Sequence, residues 1–223
     1  MSAGTPLRLA VLISGRGSNM VAIVRACLEG RIAARPAVVI SDRTDATGLA
    51  SARKLGVESV TLSGADARHT AQFERSLQTR LEEHKAEVIA LAGFMRILSG
   101  GFVAGYLGRM FNVHPSLLPA YRGLHTHRRV LAAHDLVHGA SVHFVTADLD
   151  GGPVVLQSRV AVEPGDTEAT LEARVLASEH IIYPRVLGWY AERRVSLRGG
   201  AVWLDGAPLK APVVEDFRDR MQN

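Results

Sequence analysis

Residues 7–19, LRLAVLISGRGSN, decide the fold. An apolar run from Leu7 to Ser14 has the length of a strand and stops at a glycine turn, and an amphipathic helix follows through about Gly30. A strand with no polar alternation is buried on both faces, which is how parallel sheets covered by helices read. The unit repeats along the chain. AVVIS (37–41) is a second strand, and ATGLASARKLG (46–56) is a helix stopped by glycine. VESVTL (57–62) is a third strand, and a polar helix from about Asp66 to Lys85 leads into a fourth, EVIALAG (87–93). RMFNVHP (109–115) is a fifth. This order predicts an α/β fold, an open, mostly parallel twisted sheet with helices on both faces.

Further along the texture changes. ASVHFVTADLDGGPVVLQSRVAV (140–162) reads as two strands joined through DLDGG, a hairpin that extends the sheet. A long helix spans about Thr167 to Ala191, and AVWLDG (201–206) is a short hairpin arm, so the C-terminal part is an antiparallel extension. With no linker, repeat or low-complexity segment, the 223 residues are expected to form one domain with an N-terminal nucleotide-type half over about 7–108.

Composition narrows the function classes. Hydrophobic residues at 47% and charged residues at 22% are those of an ordinary globular protein. One cysteine, Cys27, excludes an internal disulfide framework and fits a reducing compartment. No secretory signal is legible, and no apolar run approaches the roughly 20 residues of a membrane span. A cytoplasmic protein without a membrane partner is expected. The net charge is +4, and the arginines (Arg31, Arg35, Arg53, Arg75, Arg80, Arg128, Arg129, Arg174, Arg193, Arg194) are scattered, with 5% aromatics. That pattern argues against a nucleic-acid surface and suits small anionic ligands.

Three stretches carry chemistry. SGRGSN (14–19) joins the first strand to the first helix, where backbone N–H groups can hold a phosphate. It is not a dinucleotide fingerprint, because Met20 stands where the third glycine belongs, and it lacks the Gly-Lys-Ser/Thr of a P-loop. AGFMRILS (92–99) leaves the carboxyl end of the fourth strand, where open α/β sheets bind ligands. Gly93 is expected to allow a close backbone approach, and Phe94, Met95, Ile97 and Leu98 are either core under a connection or an apolar wall for a flat heterocycle.

In NVHP, Asn112 and His114 are two apart on a strand and so share a face. An amide donor beside an imidazole could meet a developing oxyanion and move a proton. Pro115 fixes an extended backbone before it and a turn after it. Asp148 and Asp150, two apart in a loop, could face one side and favour the imidazolium. Other chemistries lack support. His125 and His127 are two apart, and His134 and His138 are at i,i+4 on a predicted helix, but no His-Glu-x-x-His pattern completes a zinc site, so no metal is expected. Neither a Gly-x-Ser-x-Gly elbow nor a cysteine outside a helix offers a nucleophile.

VLISGRGSN, LAGFMRILS, FNVHPSLLPAYRGLHTHRR, HGASVHFVTADLDGGPVVLQ and SEHIIYP, in that order over residues 7 to about 205, resemble the phosphoribosylglycinamide formyltransferases. These are folate-dependent enzymes of purine biosynthesis. The resemblance implies formyl transfer from 10-formyltetrahydrofolate, as co-substrate and without a metal, to the amine of glycinamide ribonucleotide. It implies Asn112, His114 and Asp150 as the catalytic trio. Gly17, Ser18 and Asn19 would hold the phosphate end of the ribonucleotide, and Glu179 its ribose. Met95, Arg96, Ile97 and Leu98, with Thr146, Ala147, Asp148, Leu149, Asp150 and Asn112, would line the folate pocket, making about 109–205 the folate-binding and catalytic half. The family's folate-side Arg falls in LSGADARHT (62–70), which is two residues shorter here, with Arg68 as the candidate. Small-molecule substrates, no nucleic-acid partner, and a monomer or homodimer are implied.

Relatives with the same core are the alternatives. Methionyl-tRNA formyltransferases resemble it in SLLPAYRG but carry a further C-terminal domain, and formyltetrahydrofolate hydrolases a further N-terminal one, for which a first strand at Leu7 leaves no room. A binding module that has lost catalysis would show a broken trio, and all three residues are intact here.

Overall fold

The computed structural model describes residues 6–62 and 70–218. The first βα units are as expected: β1 (Leu7–Ile13), α1 (Ser18–Leu28), β2 (Ala34–Ser41), α2 (Thr47–Lys54) and β3 (Ser59–Thr61). Gly30 and Gly56, both left-handed, follow the ends of α1 and α2. After α3 (Thr70–Glu83) come β4 (Val88–Leu91), a short α4 (Gly100–Gly105), β5 (Met110–His114) and α5 (Thr126–Ala132). The hairpin is β6 (Val137–Phe144) and β7 (Val154–Ala161), and α6 (Glu168–Ala191) is capped by Thr167, whose hydroxyl accepts from Thr170 N.

Eight strands form one sheet in the order β11-β7-β6-β5-β4-β1-β2-β3, with β11 at Val213–Asp216. β6 runs antiparallel to both neighbours, and the remaining pairings are parallel. Pro36 is tolerated inside β2 because the register shifts beside it, and β3 pairs only from Val39 onward. β8 (Val195–Arg198), β9 (Ala201–Leu204) and β10 (Ala207–Pro208) form a separate three-stranded antiparallel arm. Gly199 and Gly200, both left-handed, make its first two-residue turn.

One face of the sheet packs its Leu9, Val11, Val39, Phe111 and Phe144 against α1, α2, α5 and α6. The other packs Ala10, Leu12, Ile40, Ile89 and Met110 against Phe73, Leu77 and Leu81 of α3 and Phe102 of α4. α6 is about 36 Å long at 1.5 Å per residue. Its fully buried Tyr183 donates its hydroxyl to the carbonyls of Leu91 (3.1 Å) and Phe111 (2.9 Å), pinning the helix beneath the ends of β4 and β5.

One sequence expectation needs correction. His134 and His138 do not share a helix: α5 ends at Ala132, His134 takes a left-handed φ of 55°, and His138 lies on β6. β8, β11 and the short α4 add elements not foreseen.

Candidate functional site

The strand order reverses between β1 and β4, so the chain leaving β1 crosses to one face and the chain leaving β4 to the other, opening a crevice between them. Backbone and one hydroxyl join its two lips. Ser14 N donates to Gly93 O (3.1 Å), and Ser14 Oγ accepts from Met95 N (2.8 Å). Gly93 has a left-handed φ of 72°, and nothing lies within 4 Å of a Cβ built there. Its conformation requires a glycine, and the space beside it is open among the described residues.

On the β1 side, Gly17 caps α1 in the left-handed region, so Ser18 and Asn19 begin the helix with their N–H groups directed out of its end. The turn is wedged against the start of α2. A Cβ on Gly48 would meet Ile13 Cδ1 at 2.6 Å and the Gly15 carbonyl oxygen at 3.0 Å. Asn19 Nδ2 donates to Glu179 Oε2 at 2.6 Å, and both residues are buried. Burial pushes the Glu179 carboxyl up to about 7, against the lowering pull of the Asn19 amide. Asn19 Oδ1 is buried with no partner among the described residues, leaving an acceptor open beside the helix start. Arg16 and Glu172 form an ion pair (2.7 Å) at the surface of the same region.

On the other side, β5 places Asn112 and His114 on one face, as period two requires, and β6 sets His143 opposite Asn112 and Ser141 opposite His114. The β6–β7 loop folds back over that face. Asp150, held at a left-handed φ of 47°, aims its carboxylate inward. Oδ2 accepts from Gly123 N (2.9 Å) and lies 3.4 Å from His114 Nδ1, and Oδ1 lies 3.9 Å from His143 Nε2. Gly152 makes the fold-back possible, since a Cβ there would fall 1.8 Å from the Phe144 carbonyl oxygen.

Hydrogen bonds fix the proton positions. His143 Nδ1 faces the Phe144 carbonyl at 2.9 Å and must donate to it, and burial holds this imidazole neutral by lowering its pKa. Its Nε2 is then an acceptor, so Asn112 turns Nδ2 toward it at 3.2 Å and keeps a second N–H free. His114 Nε2 donates to Tyr121 O at 2.9 Å, and its Nδ1 faces Asp150. Both ring nitrogens therefore face an oxygen acceptor.

Beside Asn112 and His143 is a cavity lined by Leu91, Phe94, Arg96, Ile97, Leu98 and Val103 on one side and Val145 to Asp150 on the other. Arg96 stacks its guanidinium over the Phe73 ring at 4.2 Å. Thr146 Oγ1 is buried without a partner among the described residues, a free donor and acceptor in a slot that sets apolar walls beside Arg96, Asn112, His143 and Asp148. That combination fits a flat heterocycle with polar edges. Phe94 and Leu98 are both core and wall, whereas Met95 is 67% exposed and stands outside the lining. Asp148 lines the cavity but is exposed and does not join Asp150 at His114. Arg68 lies outside the described residues. His143, Gly48 and Ser14 belong to this architecture and were not singled out from the sequence. Only the cross-strand register, whose partners are 31 positions apart in the chain, reveals His143.

Elsewhere, His127 Nδ1 and His138 Nε2 pair at 3.1 Å between α5 and β6, and burial holds both pKa values down, that of His138 to about 4. Burial pushes the Cys27 thiol up to about 12, which leaves it unreactive. Among the described residues, no group of three or more His, Cys, Asp or Glu is placed to hold a metal ion, and no helix is long and apolar enough to cross a membrane.

The family described as formyl transferase matches residues 7–187. The phosphoribosylglycinamide formyltransferase of Escherichia coli is 47% identical over 203 residues, covering 91% of this chain and 96% of that protein. The trifunctional purine biosynthetic protein adenosine-3 of Bos taurus is 41% identical over 199 residues, 88% of this chain and 20% of that protein. The solved phosphoribosylglycinamide formyltransferase of Coxiella burnetii superimposes with a TM-score of 0.89 at 46% identity, over 94% of this chain and 99% of that one. By its family match, its sequence identity and its superposition, the chain belongs to the formyl transferase family, among the phosphoribosylglycinamide formyltransferases.

Proposed function

We propose that the chain transfers the formyl group of 10-formyltetrahydrofolate to the primary amine of N1-(5-phospho-D-ribosyl)glycinamide in purine biosynthesis. A bond forms between the amine nitrogen and the formyl carbon, and the bond from that carbon to the folate nitrogen breaks. The amine gives up one proton and the departing nitrogen takes one. The convergence of Asn112, His114 and Asp150 between the heterocycle slot and the glycine turn carries this reading.

The geometry supports a role for each residue. The free N–H of Asn112 meets the oxyanion of the tetrahedral intermediate, and His143 holds the amide for it. The 3.4 Å gap from His114 Nδ1 to Asp150 Oδ2 is long for a strong hydrogen bond, which leaves Nδ1 free to donate to the same oxygen, with Asp150 beside the ring to help move the amine's proton. The slot formed by residues 96–98 and 145–150 takes the pterin. The start of α1, with Gly17, Ser18 and Asn19, takes the phosphate, and Glu179 accepts from the ribose hydroxyls.

The test is the absorbance change of 10-formyltetrahydrofolate with purified protein, with and without glycinamide ribonucleotide. Deformylation that requires the ribonucleotide and yields its formylated product by mass is the expected result. Turnover without it would make the chain a hydrolase, and no turnover with either would remove the assignment.

A further inference from the structure

We propose that the cleft between the 118–122 loop, the start of β7 and the C-terminal arm is a second ligand site, which takes a small amphipathic carboxylate. The cleft has a volume of about 350 Å³ and apolar walls that include Leu118, Pro153, Val202 and Leu209. Arg122 and Lys210 stand on its rim, both exposed. Neither cation has an ion pair or a side-chain hydrogen bond among the described residues. Elsewhere in the fold, Arg174, Arg185, Arg194 and Arg218 each hold a carboxylate. The one carboxylate in the lining, Asp150, is turned away toward Gly123 N and His114. An apolar pit rimmed by two uncommitted cations is complementary to a ring or branched alkyl body bearing one negative charge.

The site is separate from the slot beside Asn112, and the segment 150–153 is the wall between the two. Arg122 lies against that wall, with Nη1 3.5 Å from the position of a Cβ on Gly151. The arm supplies the outer side through Val202, Leu209 and Lys210, so the cleft exists only because β8–β10 fold back toward the sheet.

4-Phenylbutanoate is the probe, titrated calorimetrically into the full chain. A body of this size in such a cleft should bind with a Kd on the order of 1 mM. Arg122→Ala/Lys210→Ala should weaken it by about tenfold or more, and the neutral 4-phenylbutanamide should be weaker for the wild type by a similar factor. Ala211→Phe, at an exposed position in the lining, should fill the cleft and abolish binding while formyl transfer continues. Saturating tetrahydrofolate should leave probe binding in place. Absence of binding to the wild type, equal affinity for acid and amide, unchanged affinity in both variants, or displacement by tetrahydrofolate would each overturn the proposal.

Discussion

Replacing Glu179 with glutamine should stabilise the unliganded protein, and by an amount that depends on pH. The Glu179 carboxyl is pushed from 4.5 to about 7 by burial, with the Asn19 amide only partly opposing the shift. An acid whose folded pKa is raised binds more protons folded than unfolded between those two values, so stability falls as pH rises through that window. Below about 4.5 the penalty is absent, and above about 7 it is complete. A shift of about 2.5 units at 1.36 kcal/mol each amounts to about 3 kcal/mol. Glutamine keeps an oxygen to accept from Asn19 Nδ2 but cannot ionise, so Glu179→Gln should gain that amount at pH 8 and nothing at pH 4.5. For a chain of 223 residues, about 3 kcal/mol corresponds to roughly 6–12 °C in Tm. Circular dichroism melts of both proteins across pH 4.5–8.5 measure it. A gap that does not change with pH, or a wild type that melts higher at pH 8, would refute the reasoning. The same charge serves the proposed function: ribose hydroxyls donate to a carboxylate better than to an amide, so the variant should gain stability and lose ribonucleotide affinity.

Other perturbations test neighbouring parts. His114→Ala should lower kcat by roughly 10²–10⁴-fold while ribonucleotide binding, followed calorimetrically, stays within a few-fold. Asp150→Asn should depress kcat by roughly 10²–10⁴-fold while ribonucleotide affinity stays within a few-fold, and an unchanged kcat would remove its proposed role. His138, held at about 4 by burial and by His127, is neutral when folded and must stay so as acid charges it in the unfolded chain. Stability should therefore fall as pH drops from 6.5 toward 4, and His138→Gln should shift the acid-unfolding midpoint downward. Gly152→Ala would drive a Cβ to 1.8 Å from the Phe144 carbonyl oxygen, which should cost about 3 kcal/mol or more in urea unfolding, whereas Gly101→Ala, whose Cβ would meet only Ser99 Oγ at 3.9 Å, should not.

What the sequence made legible follows the range of the interactions involved. Strand and helix periods, glycine stops and the shared face of Asn112 and His114 are local, and they appear in the structure at close to the expected residues; the helix start expected at Asp66 lies outside the described residues. The i,i+4 spacing of His134 and His138 is local too, yet it misled, because Ala132 ends α5 and the chain turns back before β6. β11, four residues of VVED, carries no more pattern than a loop, and only its pairing with Leu156–Arg159 makes it a strand. His143 and Gly48 are invisible for a related reason. Each acts on a segment more than 30 residues away, through a register or a contact that no local window contains.

The site itself grows from an unequal covering of the sheet. α1 and α6 cover one face as far as β7, so Phe111, Val113, Val142 and Phe144 are apolar there. On the other face α3 and α4 cover β1 and β4 and reach only Met110 at the start of β5. Beyond it the same alternate positions read Asn112 and His114, paired across β6 with His143 and Ser141. A helix could not satisfy these groups; two loops do. Ser141 Oγ accepts from Leu118 N and donates to Ser116 O, and Gln157 Nε2 reaches Leu118 O, which fastens the 115–121 loop over the end of β5 and sets the Tyr121 carbonyl on His114. The β6–β7 loop brings Asp150 from the other side. The change from apolar to polar within five residues, MFNVH, marks where the helical layer stops, and a reactant needs that opening to reach an imidazole otherwise buried in the protein.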